Sequence, residues 1–368
     1  MPRSIKKLKV RLERIPWQSY EIFIGYDVLS RIAMMITNSN IANHYVIVTD
    51  DNVCKFYGER LLIHFIKMGI KTDIIDFPAG ERAKNFQSVL DLAGKLLDLG
   101  VDRKSALVAL GGGVVGDLTG FLSSVYMRGI TYIQVPTTLM AQVDSSIGGK
   151  TAIDLPQGKN LLGTFYQPAG VFIDIKCLDT LPASEYQNGL AEIVKYGIIN
   201  SEAFFHKLEV GVNVILSRDR FFLEEVIESA CRIKKDIVEK DEKEQGLRRI
   251  LNFGHTLGHA LEVASEYKLS HGRSVAIGMI AVARLSNKML GFPEEDRQRI
   301  ELLIRSLGIE CIIPRELAIE DILSVLHRDK KKDGRTIHFV MLKKIGFPFI
   351  TDGVSDDLLR EVVEELKL

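Results

Sequence analysis

The strongest constraint on the fold is the segment SALVALGGGVVGDLTGFL (105–122), where a short apolar run leads through three glycines into a helical pattern. Other short runs rich in β-branched residues, with helical segments between them, occur at 44–50, 72–77, 130–136 and 170–175. Buried parallel strands read as continuous apolar runs, and strands that alternate with helices form sheets covered on both faces. We therefore predict an α/β N-terminal domain with a mostly parallel, Rossmann-like sheet.

A helix is predicted within residues 83–100. Its apolar stripe recurs at spacings of three and four and consists of Phe86, Leu90, Ala93 and Leu97. Such spacing is typical of an amphipathic helix. Gly100 follows the last of these residues, at a position where glycine commonly ends a helix.

The pattern changes after about residue 180. A further apolar stripe at helical spacing consists of Phe222, Val226, Ala230, Ile233 and Ile237. Helical periodicity then continues, apart from a hairpin-like run at 335–342. We predict an α/β domain over residues 1–180, a mainly α-helical domain over residues 181–368, and a ligand site in the cleft between them.

The composition excludes several classes of protein. Lys and Arg together number 48, as do Asp and Glu, so no global charge would recruit nucleic acid or an anionic membrane. The four cysteines are widely spaced without a CxxC pair, which is typical of a reducing compartment. The basic start MPRSIKKLKV lacks the apolar run of a secretory signal, and no stretch reaches the length of a membrane span. We expect a soluble cytoplasmic protein.

The glycine loop is a candidate nucleotide site. Gly111, Gly113 and Gly116 satisfy G-x-G-x-x-G between a strand and a helix, where backbone N–H groups can face a pyrophosphate. The alternative is a tight strand-to-helix turn without a ligand. No acidic residue follows about twenty residues later, as it does in the usual dinucleotide fingerprint. Asp50, at the end of an earlier strand, is the nearest substitute for binding a ribose, although it could equally cap a helix.

Three of the eight histidines lie in LNFGHTLGHALEVASEYKLSHG (251–272). His255 and His259 are four residues apart and would share one face of a helix, and His271 follows after a turn of the chain. Histidines from neighbouring helices, with a carboxylate from elsewhere, would form an open zinc site. The alternative is a helix that carries histidines by chance, since a bare H-x-x-x-H is common.

Five motifs in order along the chain carry a specific resemblance. They are PAGERAK (78–84), GGGVVGDLTGFLSSVYMRGITYIQVPTTLMAQVDSSIGGKTAIDLPQGKNLLGTFYQP (111–168), DTLPASEYQNGLAEIVKYG (179–197), DEKEQGLRRILNFGHTLGHA (241–260) and DKK (329–331). Together they closely resemble the 3-dehydroquinate synthases, which are sugar-phosphate cyclases. The resemblance implies a dehydroquinate synthase-like fold and covers most of the chain.

The resemblance implies a metal site. Its ligands to Zn²⁺, or to Co²⁺, would be Glu192, His255 and His271, which leave an open position for substrate hydroxyls. By itself, Glu192 with Lys195 would read as an i,i+3 surface pair on a helix. His259 is not a ligand in this family, and it is expected to lie beside the metal and to transfer protons.

The resemblance also implies the substrate and cofactor sites. The expected substrate-binding residues are Arg128, Asp144, Lys150, Lys159, Asn160, Lys195, Lys234, Arg248 and Asn252, with one of Lys330 and Lys331. Those expected to act in catalysis are Lys150, Lys195, Arg248, Asn252 and His259. Those expected to bind NAD are Asp50, Asn52, Glu81, Lys84, Gly112, Gly113, Val114, Gly116, Asp117, Thr137, Thr138, Asp144, Thr180 and Leu181. Many cations within the motifs suit a substrate that carries both phosphate and carboxylate, whereas any one of them alone would read as a solvated surface charge.

The implied reaction converts 3-deoxy-D-arabino-heptulosonate 7-phosphate to 3-dehydroquinate and phosphate, in the shikimate pathway of aromatic amino-acid biosynthesis. It runs through transient oxidation by NAD, phosphate elimination, re-reduction, ring opening and intramolecular aldol closure. NAD is regenerated in each turnover. The implied partner is a small sugar phosphate, and a homodimer is expected from similarity.

Three alternatives remain at this stage. They are another sugar-phosphate cyclase, an iron-type NAD-dependent alcohol dehydrogenase, and a non-catalytic nucleotide-binding protein with this fold. The match at Lys150, Lys234, Asn160 and Arg248 disfavours the first, and the GGGVVGD loop with the phosphate-binding set disfavours the second. The intact metal ligands and cation cluster disfavour the third. The sequence departs from the family pattern at Ala152 and Asp154, where TAID replaces TGVN, and at Arg273, where an acidic residue is more usual.

Overall fold

The computed structural model describes residues 5–12, 19–37, 41–333 and 337–367, without the side chains of residues 37 and 328–333. Contacts between Cα atoms group the chain into two compact units. The first unit comprises residues 1–182 and 223–243, and the second comprises residues 183–222 and 244–368. The predicted single division at residue 180 therefore differs from this grouping at residues 223–243.

The first unit contains a seven-stranded sheet in the order β1-β2-β9-β6-β5-β3-β4. All neighbouring strands are parallel except β1 and β2. The strands of this sheet are β1 (Lys6–Val10), β2 (Tyr20–Gly25), β3 (His44–Asp50), β4 (Thr72–Phe77), β5 (Ser105–Gly111), β6 (Thr131–Pro136) and β9 (Gly170–Asp174). The five predicted strands are confirmed to within one residue at each end, and β1 and β2 were not predicted.

Apolar side chains of the central strands point alternately into two cores, one on each face of the sheet. In β5, Leu107 and Ala109 face one core, whereas Ala106, Val108 and Leu110 face the other. The predicted parallel sheet with two covered faces is therefore confirmed. A separate antiparallel hairpin, not predicted from the sequence, is formed by β7 (Lys150–Leu155) and β8 (Gly158–Phe165).

The helices of the first unit are α1 (Ile32–Thr37), α2 (Asp51–Val53), α3 (Glu59–Lys67), α4 (Phe86–Asp98) and α5 (Gly113–Val125), together with most of α9 (Arg220–Lys240). The second unit is mainly helical, as predicted. Its helices are α6 (Ala183–Asn200), α7 (Glu202–Val210), α8 (Val212–Leu216), α10 (His255–Ala264), α11 (His271–Leu290), α12 (Glu294–Ser306), α13 (Ile319–Asp333) and α14 (Asp356–Glu365). Its hairpin pairs β10 (Phe339–Leu342) with β11 (Pro348–Thr351). The hairpin-like run predicted at 335–342 contains the first of these strands but not the second, and residues 335 and 336 lie outside the described residues. None of the helices within the described ranges is long and apolar enough to cross a membrane.

Helix α9 explains why the first unit is discontinuous. The Cys231 thiol donates to the carbonyl oxygen of Gln142 at 3.3 Å, and the Lys6 ammonium contacts Glu228 at 2.7 Å. The predicted apolar stripe of this helix is correct, because Val226, Ala230, Ile233 and Ile237 are all buried and Phe222 is partly buried. Periodicity identified the helix and its buried face, but it could not identify the partner against which that face packs.

Helix α4 exists as predicted, and Gly100 follows it with a left-handed φ of 69°. Its predicted apolar stripe, however, lies largely in solvent: Phe86, Leu90 and Leu97 are 50%, 51% and 61% exposed. The buried residues are instead Val89, Leu92 and Leu96. The helix carries two adjacent apolar stripes, so the spacing alone could not decide which of them faces the sheet.

This assignment of faces can be tested with two Leu→Ala substitutions on α4. Leu92→Ala should lower the free energy of unfolding by about 2–5 kcal/mol, because it removes buried methyl groups and leaves a cavity. Leu90→Ala, two residues away, should change it by no more than about 0.5 kcal/mol. Urea unfolding of both variants measures the difference, and equal effects would contradict the observed face.

Candidate active site

The predicted nucleotide-binding residues lie at the carboxyl ends of adjacent parallel strands. Asp50 ends β3, the glycine loop follows β5, Thr137 and Thr138 follow β6, and Thr180 ends the short 3₁₀ segment that follows β9. The N–H group of Thr137 donates to the carbonyl oxygen of Gly111 at 2.9 Å and so ties two of these ends together. Ligands of open α/β sheets bind at this edge.

Side chains approach the glycine loop closely at the start of α5. A Cβ on Gly112 would lie 3.0 Å from the Thr138 side chain, and one on Gly113 would lie 3.2 Å from the Ser145 hydroxyl. Gly116 has another purpose, since its Cβ would lie 2.8 Å from Gln134 of β6 and would push the helix away from the sheet. Gly116 therefore serves packing, as the tight-turn alternative expects, and binding of a nucleotide by this loop stays a prediction.

Asp50 acts as a helix cap. One of its carboxylate oxygens accepts hydrogen bonds from the N–H groups of Asn52 and Val53, at 3.0 and 2.8 Å. The N-cap alternative raised by the sequence is thus observed. Burial raises the pKa of this carboxyl group above its ordinary value, against the effect of the two N–H groups. Binding of a ribose by Asp50 remains a prediction.

Lys84 joins several residues predicted to bind cofactor and substrate. Its ammonium is buried and donates to Asp117 at 2.6 Å and to the side-chain oxygen of Asn160 at 2.5 Å. Burial lowers the pKa of Lys84, but the Asp117 carboxylate outweighs this effect and holds the pKa above its ordinary value. Lys159 lies 3.8 Å from Glu81 at the edge of the same group.

Two departures from the family pattern belong to the β7–β8 hairpin beside Lys84. The Asp154 carboxylate accepts from the N–H of Asn160 at 2.8 Å, and the N–H of Asp154 donates to the carbonyl oxygen of Lys84 at 2.8 Å. Asp154 thereby holds Asn160 in its left-handed conformation, with a φ of 57°. Ala152 pairs across the hairpin with Gly163, which has no side chain to meet the additional methyl group.

Asp144 lies in a π-helical turn over Ala141–Ser145 that follows β6. The Lys234 ammonium of α9 donates to both the carboxylate and the carbonyl oxygen of Asp144, at 2.5 and 2.6 Å. Lys234 is 5% exposed, so this charge is held inside the protein by its partner. These two predicted residues, 90 positions apart in the chain, are brought together.

The other predicted substrate residues are distributed over several elements. Arg128 is exposed and has a φ of 69° in a turn after α5, and Lys150 begins β7. Arg248 is buried in a 3₁₀ segment before α10, where Asn252 donates to Glu244 at 3.0 Å. Three further predicted positions are Val114 in α5, Leu181 after β9 and Asn52 in α2. Lys330 and Lys331 belong to α13, but their side chains lie outside the described residues.

The three predicted metal ligands lie together in the second unit. The Nε2 atoms of His255 and His271 lie 3.4 and 3.3 Å from the same carboxylate oxygen of Glu192. One ligand atom from each residue lies within 4.8 Å of the other two. Two imidazoles and a carboxylate at this spacing fit a divalent transition metal with an open position.

The remaining ring nitrogens of both histidines have partners on the protein. Nδ1 of His255 lies 3.1 Å from the carbonyl oxygen of Phe253, and Nδ1 of His271 lies 2.8 Å from the Glu262 carboxylate. A carbonyl oxygen can only accept, so Nδ1 of His255 carries the proton, and Nε2 is left for a metal. His259 is exposed, with its ring centroid 5.3 Å from that of His255.

Glu192 and Lys195 do form a contact, but it is buried, whereas the sequence alone suggested a surface pair. Their side chains are 0% and 2% exposed. Burial would raise the pKa of Glu192, but the Lys195 ammonium and His255 hold it well below its usual range. The ionised carboxylate is the form that binds a metal.

The two histidines have opposite pKa shifts. Burial, reinforced by Lys195, lowers the pKa of His255. Burial would also lower the pKa of His271, but hydrogen bonds to Glu192 and Glu262 raise it to about 10. A proton on Nε2 of His271 competes with a metal for the same atom, so metal affinity should fall as the pH falls.

Glycines bring the three ligand-bearing helices close together. A Cβ on Gly272 would lie 2.4 Å from the backbone of Asn188, one turn before Glu192 on α6. A Cβ on Gly278 of α11 would lie 1.9 Å from the carbonyl oxygen of Gly254, which adjoins His255. Any side chain at these positions would separate the helices and their ligands.

Sequence reasoning missed Glu262 and this glycine contact. Glu262 follows His259 by three residues, so helical spacing could have shown that it shares a face with the histidines. The glycine contacts join α10 to α11 and α11 to α6, and no local sequence pattern predicts them.

The departure from the family pattern at Arg273 also has a structural role, since its guanidinium contacts Glu310 at 3.0 Å and the carbonyl oxygen of Ile312 at 3.1 Å.

The metal ligands can be distinguished from a second group of nearby side chains, His259, Glu262 and His271, whose atoms also lie within 4.8 Å of one another. His255→Ala should weaken Zn²⁺ binding by more than about 100-fold, beyond the range typical of a residue that only supports a ligand. His259→Ala should leave the metal-to-protein ratio unchanged. Calorimetric titration with Zn²⁺ measures both, and the reverse result would assign the metal to the second group.

The glycine contact between α10 and α11 can be tested with two Gly→Ala substitutions that should change the free energy of unfolding in opposite directions. Gly278→Ala should lower the free energy of unfolding by about 1–3 kcal/mol, because the methyl group overpacks the contact with Gly254. Gly94→Ala, at an exposed position of α4 where an added Cβ would have nothing within 4 Å, should raise it by about 0.5–1 kcal/mol through helix propensity. Denaturant unfolding measures both signs, and a neutral Gly278→Ala would refute the close contact.

Comparison with known proteins places this geometry in a family. The profile described as 3-dehydroquinate synthase N-terminal matches residues 74–188, and that described as 3-dehydroquinate synthase C-terminal matches residues 189–332. A curated 3-dehydroquinate synthase from Thermodesulfovibrio yellowstonii is 42% identical over 363 residues, which cover 98% of this chain and 100% of the relative.

Solved structures agree in fold. A 2-deoxy-scyllo-inosose synthase complexed with carbaglucose-6-phosphate, NAD⁺ and Co²⁺ has a TM-score of 0.87 and 28% identity, with 98% of this chain and 99% of that chain covered. The 2-epi-5-epi-valiolone synthase from Streptomyces hygroscopicus subsp. jinggangensis, with NAD⁺ and Zn²⁺ bound, has a TM-score of 0.86 and 27% identity, with 94% and 96% covered. These structures confirm the predicted fold class. Since the two profiles run from residue 74 to residue 332 and the curated relative aligns over its whole length, the chain belongs to the 3-dehydroquinate synthase family.

Proposed function

We propose that this protein is a 3-dehydroquinate synthase that converts 3-deoxy-D-arabino-heptulosonate 7-phosphate to 3-dehydroquinate and phosphate. The observation that carries the proposal is the buried Glu192 carboxylate faced by Nε2 of both His255 and His271, in a chain that belongs to this family. In reaction class the protein would be a carbon–oxygen lyase, because phosphate leaves by elimination.

Two groups complete the site. Bound NAD supplies a transient acceptor for a substrate hydride, and a bound divalent metal supplies Lewis-acid polarisation of substrate hydroxyls. Zn²⁺ or Co²⁺ would be held by Glu192, His255 and His271. NAD would be held at the strand ends by the N-terminus of α5, with Lys84, Thr138 and Thr180 beside it.

The residues of the chain would bind and orient the substrate. Lys195, Lys234 and Arg248 are largely buried cations, and buried cations suit recognition of carboxylate and phosphate because few waters compete with the ligand. His259 is exposed beside His255, so its imidazole could exchange a proton with a substrate hydroxyl. Lys84 would position Asn160 through the hydrogen bond between them.

Assembly and location are part of the proposal. We expect a homodimer and a cytoplasmic location, as the resemblance and the cysteine pattern suggest. Sedimentation of the purified protein tests the first, and fractionation of the source cells tests the second.

The main alternative is another sugar-phosphate cyclase, since the two structures of that kind bind NAD⁺ with Co²⁺ or Zn²⁺. Sequence identity favours the dehydroquinate precursor: it is 42% to the 3-dehydroquinate synthase but 28% and 27% to the other two cyclases. An iron-type alcohol dehydrogenase is disfavoured because its reaction needs no set of buried cations.

The test supplies the purified protein with the heptulosonate phosphate, NAD and Zn²⁺. Phosphate and dehydroquinate should form in equal amounts without net NADH, because NAD is regenerated, and a chelator should abolish the activity. Phosphate release from a different sugar phosphate alone would indicate another cyclase. Accumulation of NADH without phosphate would indicate a dehydrogenase.

A matched pair of variants on α9 tests the cation assignment in this assay. Lys234→Met should lower kcat/KM roughly 10- to 150-fold, which corresponds to about 1.5–3 kcal/mol for a hydrogen bond to a charged group. Lys235→Met should leave kcat/KM unchanged, because Lys235 pairs with Glu239 on the same helix, at 2.9 Å. Equal effects of the two substitutions would contradict a specific role for Lys234.

A further inference from the structure

Glu262 is a buried carboxylate beside the candidate metal site and has no assigned role. Its side chain is 7% exposed, and its Oε1 atom lies 2.8 Å from Nδ1 of His271. Glutamate is seldom buried to this extent unless a partner compensates for the lost hydration. The contact with His271 supplies such a partner.

Helix geometry aims Glu262 at His271. His255, His259 and Glu262 lie at positions i, i+4 and i+7 of α10, so they share one face of the helix. His271 begins α11, and the glycine contacts hold that helix against α10. Since both helices are held rigidly by packing, the hydrogen bond has a fixed direction.

The hydrogen bond selects one state of the His271 ring. An ionised carboxylate can only accept, so Nδ1 must carry a proton and Nε2 must be the atom that binds a metal. That Nε2 atom already points at Glu192, 3.3 Å from its oxygen. His255 obtains the same orientation from the carbonyl oxygen of Phe253, which is neutral.

The charge of Glu262 has a second consequence. The Lys195 ammonium contacts Glu192 and offsets the negative charge of the one carboxylate among the expected ligands. The Glu262 carboxylate adds a negative charge next to His271 and so makes Nε2 of that imidazole a stronger electron-pair donor to a metal cation. The two histidines are therefore not equivalent, because Nδ1 faces a carboxylate in His271 and a neutral carbonyl oxygen in His255.

We propose that Glu262 is a positioning residue that fixes the proton on Nδ1 of His271 and thereby strengthens binding of a divalent metal by Glu192, His255 and His271. The proposal rests on the metal site of the proposed function. It differs from the reading in which Glu262, His259 and His271 bind the metal themselves, because in the proposal Glu262 does not touch the ion.

The test measures metal binding by the substrate-free protein. Zn²⁺ affinity is obtained by competition with a chromophoric chelator, and coordination is followed by the visible absorption of Co²⁺. Glu262→Gln keeps an acceptor for Nδ1 but loses the charge, and Glu262→Leu loses both. We expect affinity to fall about 10-fold for Gln and about 100-fold for Leu, the range typical of partners that orient a ligand.

The ligand set should not change. Both variants should therefore retain the metal-to-protein ratio and the Co²⁺ absorption bands of the unsubstituted protein. Glu301→Gln is the control, since it removes a carboxylate of the same unit that contacts Arg284 at 3.0 Å, and it should leave metal affinity unchanged. Thermal unfolding of the metal-free variants checks folding, and if Glu262→Leu does not fold, Glu262→Gln, with its similar volume, carries the test.

Other results would overturn the proposal. Affinities within about twofold of the unsubstituted protein would mean that Glu262 does not support the site. Altered Co²⁺ bands in Glu262→Leu would mean that Glu262 is itself a ligand. If the unsubstituted protein bound no metal, the metal site of the proposed function would fail and this inference with it. The first of the two preceding results would leave that site intact, and the second would leave metal binding intact but change its ligand set.

Discussion

The close approach of α6, α10 and α11 is the constraint on which the candidate site depends. Gly272 lets the start of α11 meet the backbone of α6, and Gly278 lets α11 meet the chain at Gly254. The helices could not otherwise bring Glu192, His255 and His271 within reach of one ion. The same packing buries Glu192 completely, so the carboxylate depends on Lys195 and the histidines to remain ionised. The helix packing that gathers the three side chains therefore also determines the charge state of Glu192.

In the first unit, polar groups lie together at one edge of a buried sheet. Asp50, Thr138 and Thr180 lie at or after the ends of parallel strands that finish at one edge of the sheet, although they are distant in the chain. Lys84 adds a buried cation that joins Asp117 of α5 to Asn160 of the hairpin. Asp154, a departure from the family pattern, maintains this arrangement by accepting from the N–H of Asn160.

Much of the fold could be predicted because its signals are local. Continuous apolar runs identified five of the seven strands of the sheet, and helical spacing identified α4 and α9. The buried face of α4 could not be predicted, because Leu92 and Leu90 are equally apolar and only the position of the sheet distinguishes them. The membership of α9 in the first unit also depends on distant partners, as its contact from Cys231 to Gln142 illustrates.

The sequence by itself determined the class of sheet, the glycine loop and, through the resemblance, the residues expected to bind metal, since motifs preserve residue types in order. Only the tertiary structure decided that Glu192 and Lys195 form a buried pair, that Asp50 caps a helix, and that Glu262 supports His271. The physical reason is that burial and hydrogen bonding depend on which elements meet. Contacts between elements are set by packing between segments that are distant in the chain, so a local sequence pattern does not reveal them.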